Sequence, residues 1–323
     1  MISFAEPLYP SMDFLPFEKR LFQSTAVRRL KMLAHLGVGA LVSPLIHSRY
    51  DHSLGLWKLV SHFFPENKEL RAAAILHDVG HLPFSNGIET AFGYDHHEIT
   101  KLRIQSQEIQ AILDSAGIDT SLLVKYILEK SPITGSAKVL GLDHLDYVFR
   151  AAYMGGYHHQ SPWLTVQRLA CSEEGITCDE ETAEQMMKLI VKTNEWLCSK
   201  EMLATEAVLI EAIKCDWAES GEERDVFQEL TDWDVLCILK ASPAPRARML
   251  IHTLLEQPDK LIIREGATGK GIPFKVSRTI NLGPSVNNQA YIESTKGEEA
   301  LRRIKNVNNQ YEVIDFTFIE ECI

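Results

Sequence analysis

The sequence predicts a mainly α-helical protein that ends in a small strand-rich α+β appendage. Three observations carry this reading. Apolar residues recur at helical spacing in several segments between residues 19 and 256. The long stretch 183–215 contains neither Pro nor Gly. After Pro258 the texture changes to β-branched and aromatic words, KLIIRE, PFKVSRTINL and YEVIDFTFIE, separated by GATGKG and NNQ turns. The expected division is a helical domain over 1–258 and an appendage over 259–323.

Taken in order, residues 19–36 predict a helix through Leu21, Val27, Leu30, Leu33 and Leu36. Residues 68–81 (KELRAAAILHDVGH) predict a compact Ala-rich helix that Pro83 should stop. Residues 100–116, 120–130 and 246–256 read as amphipathic helices, and 183–215 as one helix or two, because its halves are separately periodic. Residues 160–181 and 216–225 are looser and acidic, and the appendage holds one helix near 296–306. There is no internal repeat and no low-complexity tract.

The composition is that of an ordinary globular chain. Of 323 residues, 45% are hydrophobic, and 33 basic against 44 acidic residues give a formal net charge of −11. That balance argues against non-specific nucleic-acid binding, the RRLK patch at 28–31 being the local exception. No run approaches the ~18 apolar residues of a membrane span. The first 13 residues carry two acids and no basic cluster, unlike a secretory signal, so a cytoplasmic location is expected. The six Cys residues (Cys171, Cys178, Cys198, Cys215, Cys237, Cys322) form no C-x-x-C pair and are expected as buried thiols of a reducing compartment, without structural zinc.

Histidine is distributed unevenly. Eleven of the twelve lie in the first half, with His252 alone beyond it, and several stand beside Asp. The segment Ala74-Ile75-Leu76-His77-Asp78-Val79-Gly80-His81-Leu82-Pro83-Phe84-Ser85 puts a His-Asp pair among apolar residues. A buried carboxylate needs compensation, and a divalent cation held by imidazole nitrogen and carboxylate oxygen supplies it. On a helix, His81 would share a face with His77 and point over the same site. A His–Asp hydrogen bond inside a core explains this segment equally well. Two further segments shift the balance towards a metal. In Ser48-Arg49-Tyr50-Asp51-His52-Ser53-Leu54-Gly55, Arg49 and His52 share a helical face, which suits an anionic phosphate ester over a metal. In Leu142-Asp143-His144-Leu145-Asp146-Tyr147-Val148-Phe149-Arg150, residues Asp143, Asp146, Tyr147 and Arg150 form one polar stripe on an otherwise apolar helix. Such a stripe lines a cavity, or else Arg150 pairs with Asp146 and Tyr147 is a core ring with a satisfied hydroxyl.

The order His52, His77-Asp78, Asp143 resembles the HD superfamily of metal-dependent phosphohydrolases. The words S-R-Y-D-H-S-L-G, H-D-V-G-H-L-P-F-S and D-H-L-D-Y look like the branch containing deoxynucleoside triphosphate triphosphohydrolases. The likeness covers roughly residues 5–155, weakens through 183–256, where L-T-D-W-D at 230–234 is familiar, and fails after 260. The resemblance implies a helical HD-domain bundle in which His52, His77, Asp78 and Asp143 hold one divalent metal ion, with Mn, Fe, Ni, Mg and Zn all compatible. It implies phosphate contacts from Arg49 and His81, a general acid at His97, and a place for Tyr147 near the terminal phosphates. His144 stands where these enzymes commonly have Lys, and Arg150 joins the substrate contacts from the polar stripe. Asp146, one turn past a ligand, reads as a group that orients one.

The departures also inform the reading. Asn86 and Glu89 stand where a His and an acid are more usual, Met32 where a Gln would meet the sugar, and Ala151 where an Asp would follow Arg150. The stretch 194–205 lacks the Arg, Tyr and Lys pattern that closes a triphosphate pocket. The expectation is retained metal chemistry without deoxynucleoside triphosphate specificity; fewer phosphates, or no deoxyribose, fits the departures. With no His between Glu98 and Leu142, one metal is expected rather than two. The resemblance implies hydrolysis of a phosphate ester or anhydride, of a nucleotide or nucleotide-like substrate, by a metal-activated water. The implied partner is thus a small phosphorylated molecule, not nucleic acid or membrane. Relatives of this kind are often homo-oligomers. The rival reading is a nucleotide-binding sensor or regulatory protein that keeps the metal cage and has lost turnover.

Overall fold

The computed structural model describes residues 6–43, 45–221, 224–266, 269, 271–276, 279–305 and 310–315, with backbone alone at 86, 224, 225, 305, 310, 314 and 315. The helices are α1 Pro16–Gln23, α2 Thr25–Arg29, α3 Arg49–Phe63, α4 Lys68–Leu76, α5 Asn86–Phe92, α6 His96–Ile104, α7 Gln107–Ala116, α8 Thr120–Leu128, α9 Leu142–Met154, α10 Pro162–Val166, α11 Glu180–Leu197, α12 Lys200–Ser220, α13 Arg224–Phe227, α14 Asp232–Lys240, α15 Pro245–Glu256 and α16 Thr295–Lys305. The strands are β1 Ala170–Ser172, β2 Gly175–Thr177, β3 Leu261–Glu265, β4 Ile272–Lys275, β5 Ser285–Val286, β6 Gln289–Ala290 and β7 Gln310–Asp315. The fold is mainly α, as expected, with two small sheets.

Helix α3 forms the centre of the helical body. It is buried along nearly its whole length and packs against α4 and α9. Trp57 and Leu59 of α3 meet Phe22, Leu70 and Phe149 in the first core. Phe14 stacks on Trp57 with ring centroids 4.0 Å apart. A second core gathers α12, α14 and α15 around Val208, Leu239 and Leu250, and Val313 of β7 joins it. A third joins Met187 and Ile190 of α11 to Tyr291, Ile292 and Ile304.

The strands after Pro258 form a sheet of order β3-β7-β4, in which β7 runs antiparallel to both neighbours. The other sheet, β1-β2-β5-β6, crosses the expected boundary, because β2 pairs in parallel with β5 at Thr177 and Ser285. The β1–β2 hairpin lies in the segment that the sequence left as loop. The YEVIDFTFIE word is described as far as Asp315; residues 316–323, including Cys322, lie outside the described residues, as do residues 277–278 of PFKVSRTINL. Of the five described cysteines, Cys198 is buried as expected, whereas Cys171, Cys178 and Cys215 are only partly buried and Cys237 is exposed; burial pushes the Cys171 and Cys178 thiols up to about 12.

Three expected helices are shorter or divided. The segment 19–36 breaks at Ser24, whose backbone is extended (φ −63°, ψ 154°) and whose Oγ donates to the Leu21 carbonyl at 2.6 Å. Leu21, Val27, Leu30 and Leu33 are all buried, so the apolar spacing is used by two short helices and a 3₁₀ turn. The segment 100–116 divides at Ser106, which caps α7. The segment 183–215 divides at Ser199 into α11 and α12.

The most consequential difference lies at the His-Asp pair. Helix α4 ends at Leu76, ahead of His77 and seven residues before Pro83. The backbone finds partners on α6 instead. Gly80 N–H donates to Thr100 Oγ1 at 3.1 Å, and that hydroxyl donates to the His77 carbonyl at 3.4 Å. A Cβ on Gly80 would lie 2.2 Å from the His96 carbonyl oxygen, so only glycine allows this approach. His77 and His81 therefore meet around Asp78 through a turn, not along one helical face.

Candidate functional site

The start of α3 is fixed by a reciprocal cap. Ser48 Oγ accepts from Asp51 N–H at 3.2 Å, and the Asp51 carboxylate accepts from Ser48 N–H at 2.9 Å. This places Arg49 and His52 on one face of the first turn, both buried. His77 and Asp78 arrive from the turn after α4, and Asp143 from the first turn of α9.

Four predicted metal-site side chains converge. His52 Nε2 lies 2.9 Å from Asp143 Oδ1 and 3.2 Å from His77 Nε2, which is itself 3.3 Å from Asp78 Oδ1 and 3.9 Å from Asp143 Oδ1. One donor atom from each of His52, His77 and Asp143 falls within a 4.8 Å span. The remaining nitrogens are fixed behind them. His77 Nδ1 donates to the Ala74 carbonyl at 3.0 Å, and His52 Nδ1 donates to Asp146 Oδ2 at 2.7 Å. Both Nε2 atoms are thereby turned toward the common point, the tautomer a metal-binding imidazole needs. Burial disfavours charge on His52, but the hydrogen bonds to Asp143 and Asp146 outweigh it and lift its pKa to about 9. Two imidazoles with carboxylate oxygens suit a divalent cation, which would take the place of that proton between His52 and Asp143.

Behind His52 runs a buried ionic chain. Arg150 donates two bonds to Asp146, each 3.0 Å, and lies 3.0 Å from Glu6, which also faces Lys58 at 3.5 Å. Burial would raise the Asp146 carboxyl, yet Arg150 and His52 hold it down to about 2. Arg150, expected among the substrate contacts, is buried and absent from the described cavity lining, so the structure places it against Asp146 and Glu6 rather than on the cavity wall. Gly55 packs on this pair, and a Cβ there would lie 2.2 Å from both Arg150 Nη2 and Asp146 Oδ1.

Arg49 stands on the other side of the centre. Its Nη1 donates to Asp78 Oδ2 at 2.6 Å and its Nε to Ser85 Oγ at 2.8 Å. Burial would raise Asp78, but Arg49, with His77 and His81 alongside, holds it well below the usual carboxylate range. Phe84 and Ser85 both have positive φ, 57° and 62°, a strained geometry for non-glycine residues. Asp232 stabilises this turn, its carboxylate accepting from Phe84 N–H at 2.8 Å and from Ala34 N–H at 2.7 Å.

His81 Nε2 lies 3.2 Å from Asp78, and its Nδ1 3.3 Å from Glu89, which also meets His96 at 2.8 Å. The His81 and His96 rings stack at 4.0 Å, and His97 follows at 4.0 Å. Burial, then Arg49, pushes His81 below its ordinary pKa; burial, then His96, does the same for His97.

The front of this centre opens onto a cavity of about 730 Å³. Among the predicted residues, Arg49, His52, His77, Asp78, His81, His97, Asp143, His144 and Tyr147 line it. Met32 is exposed, 56%, and is not part of the described lining. The Asn86 side chain lies outside the described side chains. Sequence reasoning missed His35, whose ring stacks on His52 at 4.1 Å and meets Tyr147 edge-on at 4.9 Å. It also missed the His96–Glu89 pair as a support for His81, and Asp232 as a clamp. The L-T-D-W-D word was the available signal for Asp232. Leu197, Met202, Leu203 and Glu206 close the cavity from α11 and α12, and Thr279, Ile280 and Asn281 from the segment after Pro258.

Residues 49–152 match the HD domain family, and this segment of the chain is an HD domain. The chain is 32% identical over 167 residues to an uncharacterized protein of Mycoplasma pneumoniae, the MG461 homolog, spanning 43% of this chain and 39% of that one. It is 28% identical over 102 residues to the deoxynucleoside triphosphate triphosphohydrolase SAMHD1 of Bos taurus, covering 27% of this chain and 17% of that one. These matches thus span well under half of either relative's length. Two solved structures share the fold. A hypothetical protein from Aquifex aeolicus has a TM-score of 0.73 at 20% identity, covering 98% of this chain and 97% of that one. A phosphohydrolase from Bacteroides thetaiotaomicron has a TM-score of 0.63 at 18% identity, covering 81% and 78%.

Proposed function

We propose that the chain is a metal-dependent phosphohydrolase that cleaves a phosphate ester or anhydride of a nucleotide or nucleotide-like substrate. The observation that carries this is the convergence of His52, His77 and Asp143 donor atoms within 4.8 Å, at the wall of a cavity that Arg49 also lines. The SAMHD1 match supports the nucleotide part of the reading. His52, His77, Asp78 and Asp143 would hold the cation, which when bound supplies Lewis acidity and a water of lowered pKa.

The chain's own groups do the rest. Arg49, its guanidinium fixed by Asp78 and Ser85, presents positive charge to the phosphoryl oxygens. His81, held by Asp78 and Glu89, offers a further contact to phosphate. His97 lies on the exposed edge of the cavity and protonates the leaving oxygen. Tyr147 and His144 line the substrate's side of α9. Residues 1–258 carry the chemistry, and the segment after them closes part of the wall.

The test is phosphate release from a panel of phosphorylated nucleosides with Mn²⁺, Mg²⁺ or Ni²⁺. Release that disappears in His77→Ala, along with bound metal, supports the proposal. Tight nucleotide binding without release would assign the chain to the sensor class. His97→Ala should keep the metal and slow the reaction by ~10²–10⁴-fold.

A further inference from the structure

A chain of four buried charges lies behind His52, and apart from Asp146 the proposed chemistry uses none of them. Arg150 Nη2 stands 3.0 Å from both Asp146 Oδ1 and Glu6 Oε1, and Glu6 Oε2 faces Lys58 Nζ at 3.5 Å. The four side chains are no more than 2% exposed. Two acids face two bases, so the chain carries no net charge. His52 and Lys58 share α3, Asp146 and Arg150 share α9, and Glu6 closes the chain from a segment ahead of α1. That segment is itself fixed. The Glu6 carboxylate accepts from Leu8 N–H at 3.1 Å and from Tyr9 N–H at 3.0 Å, and Lys58 Nζ donates to the Tyr9 carbonyl at 3.0 Å.

Glu6 is felt at His52 through this chain. Asp146 Oδ2 accepts from His52 Nδ1 at 2.7 Å and from Arg150 Nε at 3.0 Å, so imidazole and guanidinium compete for one oxygen. Arg150 in turn divides itself between Asp146 and Glu6. Negative charge on Glu6 draws the guanidinium away from Asp146 and leaves that carboxylate to polarise His52. Polarisation raises the basicity of the Nε2 that faces Asp143 and His77. Charges also interact more strongly where water is excluded, so an uncompensated charge on this chain acts on a divalent cation held at His52. Loss of a negative charge opposes that cation, and loss of a positive one favours it.

We propose that Glu6 and Lys58 are positioning residues of the metal centre: through Arg150 and Asp146, the charge balance of this chain sets how tightly His52 holds its cation. The proposal rests on the reading of His52 as a metal ligand, and it concerns metal affinity rather than turnover. The probe is Mn²⁺ alone, titrated calorimetrically into metal-free full-length protein, with melting temperatures taken on the same metal-free samples. Glu6→Gln leaves an excess positive charge and should weaken binding about tenfold or more. Lys58→Met leaves an excess negative charge and should tighten it about threefold or more. The double variant is neutral again and should return to within about threefold of wild type. All three variants lose buried contacts, so a purely structural role would weaken binding in each, in the order of their melting temperatures; that pattern overturns the proposal. Should Glu6→Gln fail to fold, Lys58→Met decides, and binding equal to or weaker than wild type overturns the proposal. If wild type takes up no Mn²⁺, or His52→Ala binds it as tightly as wild type, the metal reading falls and this proposal with it. Unchanged affinity in the Glu6 and Lys58 variants of a protein that does bind Mn²⁺ overturns this proposal alone.

Discussion

His52 and Asp146, ninety-four positions apart in sequence, are joined by a hydrogen bond of 2.7 Å between Nδ1 and Oδ2. This bond fixes which ring nitrogen of His52 faces Asp143 and His77. It also ties the candidate metal centre to Arg150 and, through it, to Glu6 at the N-terminal end of the described chain.

Asp146→Asn is expected to weaken metal binding by about 10–100-fold, the usual effect of losing a group that orients a metal-bound imidazole. The amide no longer offers Arg150 a charged partner, so thermal stability should fall as well. Mn²⁺ affinity and melting temperature of the metal-free protein, measured on the same sample, separate the two effects. An affinity equal to wild type would mean that His52 needs no help from Asp146.

Gly55→Ala tests the packing behind that bond. The added methyl would lie 2.2 Å from the Arg150–Asp146 pair, whose atoms are already committed. Overpacking of this kind costs about 1–3 kcal/mol. Denaturant unfolding should show that loss, and metal affinity should fall with it. A variant as stable as wild type would show that α3 and α9 stand further apart than described.

Arg49→Lys should raise the KM for a phosphorylated substrate about tenfold or more while leaving the metal in place. Arg49 uses Nη1 on Asp78 and Nε on Ser85 at once. An ammonium group cannot span both and present a planar fork to phosphate. Steady-state kinetics with elemental analysis decide the matter. Unchanged KM excludes Arg49 from the substrate site.

Much of this site was legible because its chemistry is local in sequence. The pairs Arg49/His52 and His77/Asp78, and the Asp143 stripe, each declare themselves within a few residues, and the fold brings the segments together. What was not legible depends on contacts between distant segments. The end of α4 at Leu76 is set by Thr100 on α6, which nothing in KELRAAAILHDVGH reveals. Arg150 reads equally as a substrate contact or as a partner of Asp146, and burial beside Glu6 decides for the latter position. His35 carries no neighbouring motif, and only the fold stacks it on His52.

Asp232, the clamp on the Phe84–Ser85 turn, makes the stability of the fold depend on pH. Burial raises its carboxyl to about 6, and the two backbone N–H donors and Arg49 and Arg29 nearby only partly oppose this. An acid whose pKa is higher folded than unfolded binds its proton more tightly in the native state. Its contribution is therefore fully present below the unfolded pKa, near 4, and is lost as pH rises through about 6. Asp232→Asn cannot titrate. The stability of wild type relative to this variant should thus decline by about 2 kcal/mol between pH 4 and pH 7. Urea unfolding at a series of pH values measures the difference, with each protein serving as its own control for other titrating groups. A difference that stays flat across that range, or grows toward pH 7, would place the ionised carboxylate in a more favourable site than its two N–H donors provide.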